Sequence, residues 1–97
     1  MEVYVELLKE NLELDKLLNE RRFADAVKKY DDIIRLRSKI DSNRESLAFL
    51  YYKKGLLCEK EEMMEIAKKS FETALQCLSK THATRLYQQI IGKLNSN

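Results

Sequence analysis

The chain contains no proline and only two glycines, Gly55 and Gly92, among its 97 residues. Proline and glycine supply most of the backbone geometries that tight β-hairpin turns and phosphate-binding loops require. No residues therefore mark the ends of short strands, and the sequence predicts an all-α protein. A chain of this length accommodates one compact core, so we expect residues 1–97 to form a single helical domain.

Apolar residues recur at helical spacing in five segments. These segments cover about 3–19, 23–40, 43–61, 63–80 and 82–94. Ser42 and Glu45 have the spacing of a capping box at the start of the third segment, and Thr81 is expected to cap the fifth. Because the connections are short, consecutive helices should be antiparallel neighbours. The sequence predicts helical hairpins over about 3–40 and 43–80, followed by a C-terminal capping helix over about 82–94.

Charge is unevenly distributed, although the net charge is only +2. Residues 1–20 carry six acidic and two basic side chains, whereas residues 21–60 carry eleven basic and six acidic ones. This distribution favours attraction between the first helix and the middle of the chain more than nucleic-acid binding. A nucleic-acid-associated domain using Lys28, Arg35 and Lys39 is disfavoured because Asp31 and Asp32 lie among these bases.

The sequence carries no recognisable secretion signal or membrane span. The N-terminus lacks a basic region followed by a sustained apolar run. The most apolar stretch, Leu47–Cys58, is too short to cross a bilayer and contains Lys53 and Lys54. Cys58 and Cys77 fall within helical patterns, as reduced buried thiols do. We expect a cytoplasmic or nuclear protein that is not secreted and binds no membrane.

Residue types that catalyse reactions or bind metals form no recognisable constellation. His82 is the only histidine and has no cysteine or carboxylate at metal-ligand spacing. Cys58 and Cys77 have no nearby histidine to activate them. The sequence therefore predicts a protein that is not an enzyme and that uses no cofactor, metal or small-molecule substrate.

A segment in the second half of the chain resembles a tetratricopeptide repeat. The matching positions are Tyr51, Gly55, Cys58, Ala67, Phe71 and Ala74. Glycine and alanine stand where two helices approach most closely, and phenylalanine fills the space beside them. Ala26, Tyr30 and Ile33 repeat the small–aromatic–apolar trio of the second helix, but Leu14 replaces the glycine. The resemblance covers about residues 7–81.

The repeat is longer than is usual for this family. Ala26 and Ala67 are 41 residues apart, whereas the usual spacing is about 34. The seven additional residues correspond to two helical turns, as in the long-helix repeats of kinesin light chains and related adaptors. The resemblance implies a right-handed array of hairpins with a C-terminal capping helix. A four- or five-helix bundle without repeat geometry is the structural alternative.

In this family the first helix of each repeat lines a groove that binds a peptide or an amphipathic helix. The corresponding partner-binding positions are Leu8, Asn11, Asp15 and Asn19 in the first repeat and Phe49, Tyr52, Leu56 and Lys60 in the second. The stripe of Phe49, Tyr52 and Leu56 would supply apolar anchors. The alternative is that the first or fifth helix covers this stripe, which would make it part of the core.

The resemblance implies a non-catalytic protein–protein interaction adaptor or scaffold. An oligomerisation module, acting as a homodimer or as a subunit of a larger complex, is the functional alternative. Some family members bind the C-terminal carboxylates of chaperone tails through a lysine and an asparagine. Here Asn11 and Asp15 stand at the first-repeat positions and Lys53 replaces the asparagine of the second, so chaperone-tail binding is disfavoured.

Overall fold

The computed structural model describes residues 2–40, 44–78 and 84–95. These residues form five α-helices and no strand: α1 (Glu2–Asn19), α2 (Phe23–Ile40), α3 (Arg44–Lys60), α4 (Met64–Cys77) and α5 (Thr84–Asn95). The all-α prediction is confirmed. The predicted caps Ser42 and Thr81, and also His82, lie outside the described residues. Within the described ranges, no helix is both long enough and apolar enough to cross a membrane.

The chain divides into two compact units, Met1–Ser42 and Asn43–Asn97. In the first unit α1 packs against α2 as a helical hairpin, and in the second α3 packs against α4. The second unit also contains α5, which packs on α4. The predicted construction from helical hairpins is thus present in each unit.

The core of the first unit contains the predicted trio of α2. Ala26, Tyr30 and Ile33 are at most 4% exposed, and Leu7 and Leu14 of α1 are buried as well. Leu7 and Leu14 are seven residues apart, which places them on the same side of α1. Burial of these apolar side chains holds the two helices together.

The core of the second unit is built around Phe71, which is fully buried. Ala67 and Ala74 lie one turn on either side of Phe71, and both are buried. A Cβ atom added to Gly55 would lie only 2.5 Å from Cε1 of the Phe71 ring. The prediction that Gly55 marks the close approach of two helices is therefore confirmed, because no larger residue leaves room for this ring.

Helix α5 interacts with the second hairpin through both apolar and polar side chains. Ile90 of α5 is fully buried. The Lys93 ammonium forms an ion pair with Glu59 of α3, at 3.2 Å. Ion pairs at this level of exposure contribute little to stability, so apolar burial, including that of Ile90, contributes more to the attachment of α5.

The turn of the first hairpin has a backbone geometry that usually requires glycine. Arg21 has a φ of +60°, in the left-handed region. Its N–H donates to the carbonyl of Leu18 at 3.1 Å, and the N–H of Arg22 donates to the carbonyl of Leu17 at 2.9 Å. These two bonds define a Schellman motif, which ends a helix and most often has glycine at the left-handed position.

The turn of the second hairpin repeats this motif 41 residues further along the chain. Glu62 has a φ of +60°, and its N–H donates to the carbonyl of Glu59 at 3.1 Å. The N–H of Met63 donates to the carbonyl of Cys58 at 2.8 Å. The scarcity of glycine therefore does not prevent tight turns in this chain, since an arginine and a glutamate occupy the left-handed positions.

Candidate protein-interaction surface

The second-repeat positions proposed for partner binding lie on one side of α3. Phe49, Tyr52, Leu56 and Lys60 follow one another at intervals of three or four residues, which places them in one row along the helix. Phe49 is 50% exposed, Tyr52 and Leu56 are half-buried, and Lys60 is exposed. Together with Lys53, these residues are called the α3 surface below.

Phe49 and Lys53 interact on the α3 surface. The Lys53 Nζ lies 5.2 Å from the centroid of the Phe49 ring, within the range of a cation–π interaction. Such a contact contributes about 0.5–1 kcal/mol at an exposed site. This pair was not predicted from the sequence, although a spacing of four residues on a helix brings two side chains together. The α3 surface therefore presents an aromatic ring and a positive charge side by side.

Tyr52 connects the α3 surface to the core of the second unit. Its ring centroid lies 5.9 Å from that of Phe71, with the two planes tilted by 48°. This geometry is typical of a stabilising aromatic pair. The contact with the buried Phe71 ring therefore fixes the position of Tyr52, while the half-exposed Phe49 forms the outer part of the α3 surface.

The first-repeat positions lie on α1, in the other unit. Asn11 is half-buried, and its Nδ2 donates a hydrogen bond to the carbonyl of Leu7 at 2.8 Å. Asp15 is exposed. Burial raises the pKa of the Tyr30 phenol, and the negative charge of Asp15 raises it further. Asn11 and Asp15 are four residues apart and share one side of α1, together with the exposed Leu8.

An ion-pair cluster joins α1 to α2. The Lys29 Nζ donates hydrogen bonds to Oε2 of Glu10 at 2.6 Å and to Oε2 of Glu13 at 2.8 Å. These bonds hold the pKa of Lys29 well above its usual range and lower the pKa of Glu13. The cluster is an example of the attraction predicted between the acidic first helix and the basic segment that follows it.

The described residues contain no group of three or more His, Cys, Asp and Glu side chains that could hold a metal ion. Comparison of the chain with models of protein families, with curated protein sequences and with solved structures finds no match. The geometry itself defines the class: an all-α protein built from helical hairpins.

Proposed function

We propose that this protein is a non-catalytic protein–protein interaction adaptor of the tetratricopeptide-repeat-like class. Support for the repeat comes from buried positions that recur after 41 residues. These pairs are Leu7 and Ala48, Leu14 and Gly55, Ala26 and Ala67, Tyr30 and Phe71, and Ile33 and Ala74. The same backbone hydrogen bonds close both hairpin turns. Recurrence of both the core and the turn supports two copies of one structural unit.

The observation that carries the proposed binding function is the exposure of Phe49 beside Lys53. A half-exposed phenylalanine at the edge of a well-packed hairpin offers an anchor for a partner. Phe49, Tyr52 and Leu56 have the i, i+3, i+7 spacing that fits an amphipathic helix or a short peptide. Lys53 and Lys60 add positive charge, so the favoured partner carries apolar anchors flanked by acidic residues.

The proposal includes Asn11 and Asp15 of α1. They precede Tyr52 and Leu56 by 41 residues, which is the repeat spacing, and they would supply polar contacts in the first repeat. Cys58 and Cys77 are buried and are not joined as a disulfide. We place the function in the cytoplasm or nucleus, where thiols stay reduced.

A library of displayed peptides about 15 residues long tests this function. We expect the selected peptides to carry apolar residues at helical spacing together with Asp or Glu. Phe49→Ala should weaken binding of a selected peptide at least tenfold, as expected for an anchor residue. The matched control is Ile66→Ala, because Ile66 is a 40% exposed apolar residue of α4 outside the α3 surface.

Charge reversal gives a second readout from the same peptides. Lys53→Glu should reduce the affinity for acidic peptides and make it less sensitive to salt. The proposal is wrong if no peptide is enriched, or if Phe49→Ala and Ile66→Ala bind a selected peptide as tightly as the original chain. Far-UV circular dichroism of each variant verifies that the helices are intact.

A further inference from the structure

The outer side of α1 carries an exposed apolar stripe. Tyr4, Val5, Leu8 and Leu12 are 58%, 69%, 64% and 62% exposed. They lie on neighbouring positions of the first three turns of the helix, so they form a continuous patch. We call these four residues the α1 stripe. Contiguous apolar patches on a protein surface commonly mark interaction sites.

The second unit carries an open groove between α4 and α5. One part of it has a volume of about 430 Å³ and is lined by Glu72, Leu75, Gln76, Leu78, Tyr87 and Leu94. An adjoining part of about 370 Å³ is lined by Met64, Glu65, Lys68 and Leu94. Leu94 belongs to both parts, so they are described together as the α4–α5 groove. Its floor is apolar, and charged side chains of α4 form its rim.

Two lysines beside the α1 stripe have the same spacing as two glutamates on the rim of the groove, while the exposed Asp15 also lies beside the stripe, three residues after Leu12. Lys9 and Lys16 are exposed and seven residues apart on α1. Each follows a residue of the α1 stripe by four positions, which places it beside the stripe. Glu65 and Glu72 are also exposed and seven residues apart, on the rim of the groove. Seven residues span about 10 Å of helix, so both pairs can meet at once.

A positive charge between the two glutamates of the rim favours one direction of α1 relative to α4. Lys68 lies between Glu65 and Glu72. If α1 runs antiparallel to α4, so that Lys9 is opposite Glu72, Lys68 is opposite Glu13. If α1 runs parallel to α4, Lys68 is opposite the apolar Leu12. The antiparallel direction therefore places Lys68 beside a carboxylate that already bonds to Lys29 of α2, rather than on an apolar residue.

We propose that the α1 stripe of one copy of this chain docks in the α4–α5 groove of a second copy, antiparallel to α4. A helix seated in the groove between two others packs its side chains against both. This association goes beyond the proposed adaptor function, because it uses the α4–α5 groove and no residue of the α3 surface, and it shares only Leu8 with the first-repeat positions. The two contacting surfaces differ, so the interface is heterologous and each pair retains one unoccupied stripe and one unoccupied groove.

Two blocked variants test this arrangement by sedimentation velocity over a range of protein concentrations. The original chain should increase in mass above its 11.5 kDa protomer as the concentration rises. Leu8→Glu/Leu12→Glu blocks the stripe, and Glu65→Lys/Glu72→Lys reverses the rim of the groove. Each variant alone should remain monomeric, because it retains only one of the two surfaces. Their mixture should form a dimer that grows no further.

A symmetric contact between two α1 stripes predicts a different outcome. The rim variant would then still dimerise alone, and mixing it with the stripe variant would produce no additional complex. That result overturns the proposal, as does a mass that stays at one protomer up to millimolar concentration. Because Leu8, Leu12, Glu65 and Glu72 are exposed, we expect far-UV circular dichroism to show intact helices in both variants.

A charge exchange keeps the proposal testable even if the stripe variant fails to fold. Lys9→Glu/Lys16→Glu should weaken the association at least tenfold, and combining it with Glu65→Lys/Glu72→Lys should restore it. The control is Glu20→Lys/Glu61→Lys, which changes the net charge as the rim variant does but lies in the hairpin turns. Loss of association in the control, or no recovery in the combined variant, contradicts the proposed pairing.

Discussion

The close approach of α3 to Phe71 predicts that alanine substitutions at the two glycines of this chain have opposite effects on stability. In Gly55→Ala the new Cβ would lie 2.5 Å from Cε1 of Phe71, 2.8 Å from Cδ1 and 2.9 Å from Cζ. Carbon atoms do not approach so closely, and Phe71 is 0% exposed, so its ring has no solvent to move into. In Gly92→Ala the new Cβ meets no atom within 4 Å.

The expected magnitude follows from two opposing effects. Alanine is favoured over glycine in the middle of a helix by about 0.8–1 kcal/mol, which applies to Gly55 within α3 and is an upper limit for Gly92 in the last turn of α5. Overpacking of a well-packed core costs about 1–3 kcal/mol, and this cost applies only to Gly55→Ala. We therefore expect Gly92→Ala to stabilise its unit by up to about 1 kcal/mol. Gly55→Ala should destabilise the same unit by about 1 kcal/mol.

Urea unfolding followed by far-UV circular dichroism measures both changes, since Gly55 and Gly92 belong to the same unit. The helix-propensity gain favours alanine in both variants and is larger at Gly55, so a lower stability of Gly55→Ala than of Gly92→Ala reports overpacking at Phe71. The reasoning is refuted if Gly55→Ala stabilises the protein as much as Gly92→Ala does.

A double-mutant cycle identifies the ring as the cause of the loss. Phe71→Leu removes the ring and should destabilise the core, because it leaves a cavity. In the Phe71→Leu background, however, Gly55→Ala should cost less than in the original chain, since the added Cβ then has room. Additive effects of the two substitutions would show that the Phe71 ring is not responsible.

Three further predictions concern the hairpin turns and the first unit. Arg21→Gly and Glu62→Gly should each raise the free energy of unfolding by about 0.5–1 kcal/mol, because glycine adopts positive φ without strain. The control is Glu20→Gly, one residue before Arg21, which should not raise the free energy of unfolding. Stability measured by urea unfolding should fall as acid protonates Glu13, whose lowered pKa means that the folded state favours the carboxylate, and Lys29→Met should reduce this pH dependence. The raised pKa of Tyr30 predicts a loss of stability as the pH rises above about 10, where the unfolded phenol ionises first, and Tyr30→Phe should lessen that loss.

The helices could be predicted because the apolar periodicity is long and uninterrupted, but some of their ends could not. The fourth segment was expected to continue to about residue 80, whereas α4 ends at Cys77. Leu78 is extended, with φ −91° and ψ 139°, and its N–H donates to the carbonyl of Leu75 at 3.1 Å. Leu78 is nevertheless buried, so it satisfies the apolar pattern without being helical. Apolar periodicity therefore indicates which side chains are buried, but it does not show whether their backbone is helical.

The turns show a similar limit. The 41-residue spacing between Ala26 and Ala67 predicted two related hairpins, but neither left-handed turn residue could be identified from its type. Arg21 and Glu62 are poor residues for positive φ, where glycine is favoured. Their conformation is imposed by the short connection between two packed helices rather than by local preference. The conformational cost of positive φ at these two residues is outweighed by the burial of apolar surface on both helices.

Apolar residues in the core and on a binding surface have the same spacing, so periodicity alone does not separate them. Leu7 and Leu8 of α1 are adjacent in sequence, yet Leu7 is 5% exposed and Leu8 is 64% exposed. The informative property is the width of the apolar arc, since an arc much wider than about 100° exceeds what a core-facing helix needs. In the first unit α1 packs against α2 alone, and a single neighbour cannot cover so wide an arc. The remaining apolar surface of α1 is therefore a consequence of its sequence, and the proposed docking in the groove of a second copy would remove it from water.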